Sequence, residues 1–113
     1  MGLEDPNKLD AIGTDKLTGE LVLTIVDSWE WESEQQALYR HLMALQEKFN
    51  AYLAFIQSGQ LREMYPNSTG QRIRIDLLTR FALPEIAKRF LNNVASVAAH
   101  VDVTIRLQEA VGG

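Results

Sequence analysis

The residues able to do chemistry are few. His41 and His100 are the whole supply of imidazole, and the chain contains no cysteine. Thiol nucleophiles, disulfides and cysteine-ligated zinc are excluded by composition alone. Neither histidine sits in a catalytic motif. There is no G-x-S-x-G elbow, no H-E-x-x-H, and no His-x3-His pair that would aim two ring nitrogens at one metal. His41 falls beside the apolar seam of a helical pattern, where a partly buried structural histidine outweighs a catalytic or metal-binding one. His100 falls at the end of a second helix, where a hydrogen-bond donor suits the negative terminus. The alternation Glu30, Glu32, Glu34 lacks the Asp/Asn-Gly spacing that wraps calcium, so a solvated helix entrance is the plainer reading. No G-x-x-x-x-G-K or G-x-G-x-x-G segment offers backbone amides to a phosphate. The expectation is a chain with no catalytic centre, no metal and no cofactor.

Binding chemistry is better represented. Arg72, Arg74, Arg80 and Arg106 alternate with apolar residues and are interleaved with Asp76, Asp102 and Thr104. Guanidinium forks suit carboxylates and phosphates. The interleaved aspartates can equally satisfy them as cross-strand ion pairs, and a self-paired solvated face is the plainer reading. No aromatic lies among these arginines in the third or fourth strand, so base stacking of the kind sheet-based RNA readers use is not expected. Lys48, Asn50 and Gln46 place polar groups in the middle of a strong helix. Gln46 and Asn50 share a face, and a buried amide satisfied by backbone is favoured over a partner contact. Trp29 and Trp31 bracket Glu30, which predicts one core and one rim indole. Candidate ligand or partner contacts are Arg72, Arg74, Arg106, His41, Lys48, Asn50 and Tyr65.

These residues must be carried by a single domain, since 113 residues suit one hydrophobic core. Lys8 to Thr14 is a modest strand candidate. Glu20 to Asp27, rich in β-branched residues, is the strongest, and the polar turn between them predicts a hairpin. Ser33 and Gln36 fit a capping box. Leu38, Leu42, Leu45, Phe49, Tyr52 and Ile56 then form one seam of a helix over about 33–58. Gly59 ends that helix in left-handed geometry, Leu61, Met64 and Tyr65 make a short turn packing back on it, and 59–70 reads as a connector. Ile73, Ile75, Leu77 and Thr79 alternate with polar residues as a half-buried strand. Pro84 opens a second helix whose inward stripe is Ile86, Phe90, Leu91, Val94 and Val97. Val101 to Leu107 is the last strand. The order is ββαβαβ, an α+β fold with a four-stranded sheet and two helices packed on one face.

The runs DPNKLDAIGTD and GELVLTIVD, then WEWE, HLMALQEKFNAYLAFIQSGQLREMYP and RIRIDLL resemble a bacterial family known as domain of unknown function 6572. The likeness covers most of the chain to about residue 80. It implies a compact α+β domain and carries no established activity.

A formal net charge of −4 is the wrong sign for a default nucleic-acid or anionic-membrane binder. No apolar run approaches a membrane span and no leader pattern opens the chain, so it reads as cytosolic. The functional expectation is a small interaction module that pairs with itself through the long helix, the open sheet or both. The helix is longer than its strands, and Tyr39, Met43 and Leu53 flank its seam. One rival is a small-molecule-binding protein or enzyme using a cleft near the long helix and the 59–70 loop. Another is an acidic immunity-type inhibitor of a basic protein. The Gly112-Gly113 end lacks the basic lead-in of a ubiquitin-like modifier, and conjugation is not favoured.

Overall fold

The computed structural model describes residues 2–109, so the Gly112-Gly113 end lies outside the described residues. The elements are β1 (Ala11–Thr14), β2 (Leu21–Asp27), α1 (Gln35–Gln57), α2 (Gln60–Met64), β3 (Ile73–Thr79), α3 (Glu85–Ala99) and β4 (Val103–Glu109). Short 3-10 turns occupy Gly2–Glu4 and Pro66–Ser68. The strands form one sheet in the order β1-β2-β3-β4. β1 is antiparallel to β2, whereas β2, β3 and β4 run parallel. Each parallel step needs a crossover, and α1 and α3 supply them. Strand order advances in one direction, so right-handed crossovers place both helices on the same face. This is the expected α+β architecture, with α2 as a third, short helix.

Beneath the helices lie Leu21, Leu23 and Ile25 of β2, Ile73, Ile75 and Leu77 of β3, and Val103 of β4. Leu45, Phe49, Tyr52 and Leu53 of α1 and Ala87, Leu91 and Ala98 of α3 close over them. The strand phase follows the alternation in the sequence, because a half-covered sheet sorts odd from even residues. The phase of α3 follows its expected stripe only in part. Ala87, Leu91 and Ala98 face inward, Phe90 and Val94 pack at the margin, and Ile86 and Val97 are exposed. Two small alanines at the contact let the helix lie close to the sheet, which rotates the bulkier row outward.

Three boundaries also differ. Residues before Ala11 are not strand, because the Lys48 side chain of α1 holds them as a loop. The cap of α1 is Glu34, not Ser33. Its carboxylate accepts from the amides of Gln36 at 3.1 Å and Ala37 at 2.8 Å. Those amides, Ala37 first, hold the Glu34 carboxyl below its usual range. Finally, Val101 and Asp102 form a turn rather than the start of β4, and Asp102 takes φ of 61° there.

The 59–71 connection has local structure of its own. Gly59 adopts φ of 88° and separates α1 from α2. Leu61 is wholly buried against the core, although Met64 stays exposed and Tyr65 is half-buried. Arg62 donates to the carbonyls of Ser68 and, at 2.9 Å, Gln71, which closes the loop onto itself. A Cβ at Gly59 would meet nothing within 4 Å. Gly59→Ala is therefore expected to cost about 1 kcal/mol from left-handed strain alone. An unchanged denaturation midpoint would show that the αL conformation is not needed there.

Candidate functional sites

Among the described residues, no helix or loop covers the sheet face opposite the helices. Register places Val22, Arg74 and Thr104 in one row across the parallel strands, Thr24, Asp76 and Arg106 in the next, and Val26, Leu78 and Gln108 in the third. Arg72 and Arg106 are exposed there, as the alternation implies, but Arg74 is not: it is 5% exposed. Its guanidinium lies down on the sheet among three carboxylates. It meets Asp76 at 2.7 Å, Glu20 at 2.6 Å and Asp15 at 3.1 Å. Asp76 also receives Arg106 at 2.8 Å. The Asp76 hydrogen bonds, foremost, push the Arg74 pKa further above its ordinary value. Asp15 is held low by the Leu17 amide and then by Arg74. The aspartates and glutamate thus consume Arg74 internally, whereas Arg106, paired through one nitrogen, and Arg72 remain exposed.

A second cluster forms where β2 and β3 end, the edge at which parallel sheets commonly place their sites. Asp27 and Thr79 are register partners at those carboxyl ends. Both occupy inward positions and are about 1% exposed. From the first turns of α1, His41 reaches down so that its Nε2 lies 2.6 Å from Asp27 Oδ2. Asp27 also accepts the Trp29 amide at 3.0 Å. Trp31 stacks on the imidazole, with centroids 3.5 Å apart and planes 12° from parallel, and Trp29 is tilted against it at 5.3 Å. Both indoles are half-buried and pack against the core rather than dividing into core and rim. Among the described residues, the buried side-chain atoms without a hydrogen-bond partner are Trp31 Nε1, His41 Nδ1 and Thr79 Oγ1. The first two belong to stacked rings, and the third sits beside Asp27. Buried polar atoms are seldom left unpaired, so their concentration at one spot marks it out.

Lys48 has a different role from the one its residue type suggests. It is 0% exposed, and its ammonium donates to the carbonyls of Gly2 at 2.9 Å, Asp5 at 2.7 Å and Lys8 at 2.6 Å, with Asp10 Oδ1 at 3.3 Å. It is a clamp on the N-terminal segment. Asp10 completes the clamp by accepting the amides of Gly2 and Val26. Asn50 and Gln46, expected as buried amides, are exposed, because the seam through Leu45, Phe49 and Tyr52 turns them to solvent. Leu53, expected on an uncovered flank, is buried, whereas Tyr39 is exposed and Met43 half-buried, so that flank is no continuous strip. The structure therefore separates the candidates: Arg72, Arg74 and Arg106 on or beside the sheet, His41 at the strand ends, Lys48 in the N-terminal clamp, Tyr65 in the connector.

Asp27, Thr79 and Asp10 were not singled out from sequence. A signal existed for two of them. Each closes its strand at a position whose parity is inward, after Leu21, Leu23, Ile25 and after Ile73, Ile75, Leu77 respectively, so a polar residue there must be buried.

Tyr52 joins the same clamp region. Its hydroxyl donates to the Thr24 carbonyl at 2.8 Å and accepts from the Asp10 amide at 3.0 Å. Burial pushes its pKa up from 10.0 to about 12. A raised pKa stabilises the fold fully below the unfolded value and loses that contribution as pH climbs through the folded one. Stability is expected to fall by about 2–3 kcal/mol between pH 10 and 12 on this account. Denaturant titrations across that range should show the slope, and Tyr52→Phe should flatten it.

Among the described residues, no group of three or more carboxylate or imidazole side chains is placed to hold a metal ion. No described helix is long and apolar enough to cross a membrane. Cavities flank the helices. One, of about 650 Å3, lies between the N-terminal loop and the end of α1 and is lined by Leu9, Tyr52, Phe55 and Met64. Another, of about 870 Å3, opens at the start of β4 beside Arg62, Arg72 and Asp102.

A hairpin strand joined to two successive β-α-β crossovers, with one sheet face bare among the described residues, defines a small open-faced α+β domain. The chain belongs to the family of unknown function DUF6572, whose model matches residues 1–110. No curated protein and no solved structure matches it.

Proposed function

We propose that the chain is a cytoplasmic interaction module without a catalytic centre, working as a homodimer whose bare sheet faces meet. The observation that carries this is the uncovered face of three parallel strands. Parallel sheets are ordinarily covered on both sides, since their strands gain most of their stability from double burial. Here Val22, Val26 and Leu78 are only half-buried on that face. The face is also polar in a self-complementary way. Asp15 and Glu20 bring surplus negative charge to the β1–β2 side, and Arg106, with its side chain 43% exposed, brings positive charge to β4. A two-fold axis along the strands, lying between two stacked faces, sets β4 of each copy over β1 of the other. Each flank then carries acid from one copy and base from the other, with the valines and Leu78 between.

The footprint is roughly 19 by 23 Å from strand spacing and rise, which belongs to the smaller class of interfaces. Light scattering over a concentration series checks it. The mass is expected to rise towards twice 12.8 kDa by hundreds of micromolar. Leu78→Lys should hold it at the monomer value, because it puts an unpaired charge into the apolar row that Val26 and Leu78 bring to the contact. A wild-type mass that never leaves 12.8 kDa would overturn the dimer.

A further inference from the structure

The two edges of the sheet are unlike. β1 closes one side with four residues, among them Gly13, a short edge that offers little to a neighbouring strand. β4 closes the other with seven, Val103–Glu109, none of them proline, glycine or lysine. Among the described residues the backbone of β4 is bonded to β3, and no hydrogen bond from any other backbone or side chain reaches it. Such an edge presents a row of free N–H and C=O groups, a template for a further strand. The side chains of β4 report the same open side. Ile105 and Leu107 are the register partners of Ile75 and Leu77 and share their inward parity. Ile75 and Leu77, between two strands, are wholly buried, whereas Ile105 and Leu107 stay half-buried under α3. On the bare face Asp76 is buried while Arg106, its partner in register, is exposed.

The cavity of about 870 Å3 at the start of β4 borders this edge, with Ala95, Ala99, Val101, Val103 and Ile105 as its apolar wall. Guanidinium groups prevail along the first part of the strand. Arg62 and Arg72 stand in the cavity wall against Asp102, Arg106 follows in mid-strand, and Glu109 lies at the far end. The Arg72 side chain makes no hydrogen bond or ion pair among the described residues, and that of Arg106, 43% exposed, meets Asp76 through one nitrogen. We infer that the outer edge of β4 takes up an extended, acidic peptide segment of a partner protein as a fifth strand. The peptide backbone bonds the free N–H and C=O groups. One row of its side chains, apolar, covers Ile105 and Leu107 and enters the cavity; the other, on the bare-face side, carries carboxylates to Arg72 and Arg106. Main-chain pairing supplies affinity and the alternating side chains supply specificity. A second copy suits this edge less well, because two β4 strands paired antiparallel about their midpoint set Arg106 against Arg106. The fifth strand lies beside the sheet and leaves the bare face open.

The probe is an end-capped octapeptide of alternating valine and glutamate, followed by amide NMR of the full chain. Controls replace its glutamates by lysine or its valines by serine. Saturable shifts confined to β4 and its neighbours are expected with the valine–glutamate peptide, together with slower exchange of the outward amides of β4. The lysine and serine peptides should bind at least fivefold more weakly. Methylating alternate peptide nitrogens separates strand addition from loose adhesion: one set of four should abolish binding and the other should leave it. Arg72→Gln should weaken binding about twofold to fivefold, with no change in unfolding midpoint. No saturable binding, equal loss from both methylated sets, unchanged β4 exchange, or a preference for lysine would each overturn the inference. Slow exchange of the outward β4 amides in peptide-free Leu78→Lys protein would place a second copy on the edge and overturn it too. A wild-type mass that stays at the monomer value sinks the face-to-face dimer and leaves this edge untouched.

Discussion

Lys48→Met is expected to lower the unfolding free energy by about 3–5 kcal/mol, the range for breaking a buried ionic arrangement by removing one partner. Methionine keeps the length and the burial but donates nothing. The carbonyls of Gly2, Asp5 and Lys8 then lose the ammonium that holds them. Each orphaned acceptor can be satisfied again only by reaching water, so the segment must open. Asp10 is partly protected, because the amides of Gly2 and Val26 still donate to it. Opening also exposes Leu3, which is buried against the core. The variant should therefore show fast amide exchange through residues 2–10 while β2, β3 and α1 stay protected. A loss below about 1 kcal/mol in denaturant titrations would mean that the segment is held by Leu3 and Asp10 without the clamp.

Phe49→Ala should cost a similar amount, about 3–5 kcal/mol, for a different reason. Phe49 is 1% exposed and stands at the joint of the two helices, with its ring 6.4 Å from that of Phe90 at an angle of 60°. Truncation removes the ring's burial and leaves a cavity under both crossovers. The backbone relaxes little there, because α1 is fixed on either side of it by Leu45 and Tyr52. Leu45→Ala should fall in the range of about 2–5 kcal/mol. Denaturant melts giving less than about 1 kcal/mol at both positions would remove this seam from the core. Unlike Lys48→Met, these losses should appear as a lower midpoint for the whole domain, with no selective release of its N-terminus.

The two effects show how differently the chain announces its parts. The seam of α1 is legible because a helix repeats every 3.6 residues and apolar side chains at that period must share a face. The inward phase of β3 and β4 is legible for the same kind of reason, with period two. Gly59, Pro84 and the loop around Leu61 follow from backbone chemistry that a few residues settle among themselves. Local rules of this kind determine the ββαβαβ order and most of the core.

What local rules do not contain is which distant groups meet. Nothing within the N-terminal run requires that three of its carbonyls converge on a lysine some forty positions away. The polar residues at inward positions, Asp27, Thr79, His41 and Lys48, are visible in the sequence as exceptions to its patterns. Their partners are decided only when parallel pairing brings β2 beside β3 and lays α1 across both. The same holds for Arg74, exposed by its parity yet buried by its neighbours, because Asp15 and Glu20 arrive from the hairpin to cover it. Periodicity is a property of one segment and is written along the chain. Hydrogen bonding and charge pairing in the interior depend on contacts between segments, so the tertiary structure alone assigns them.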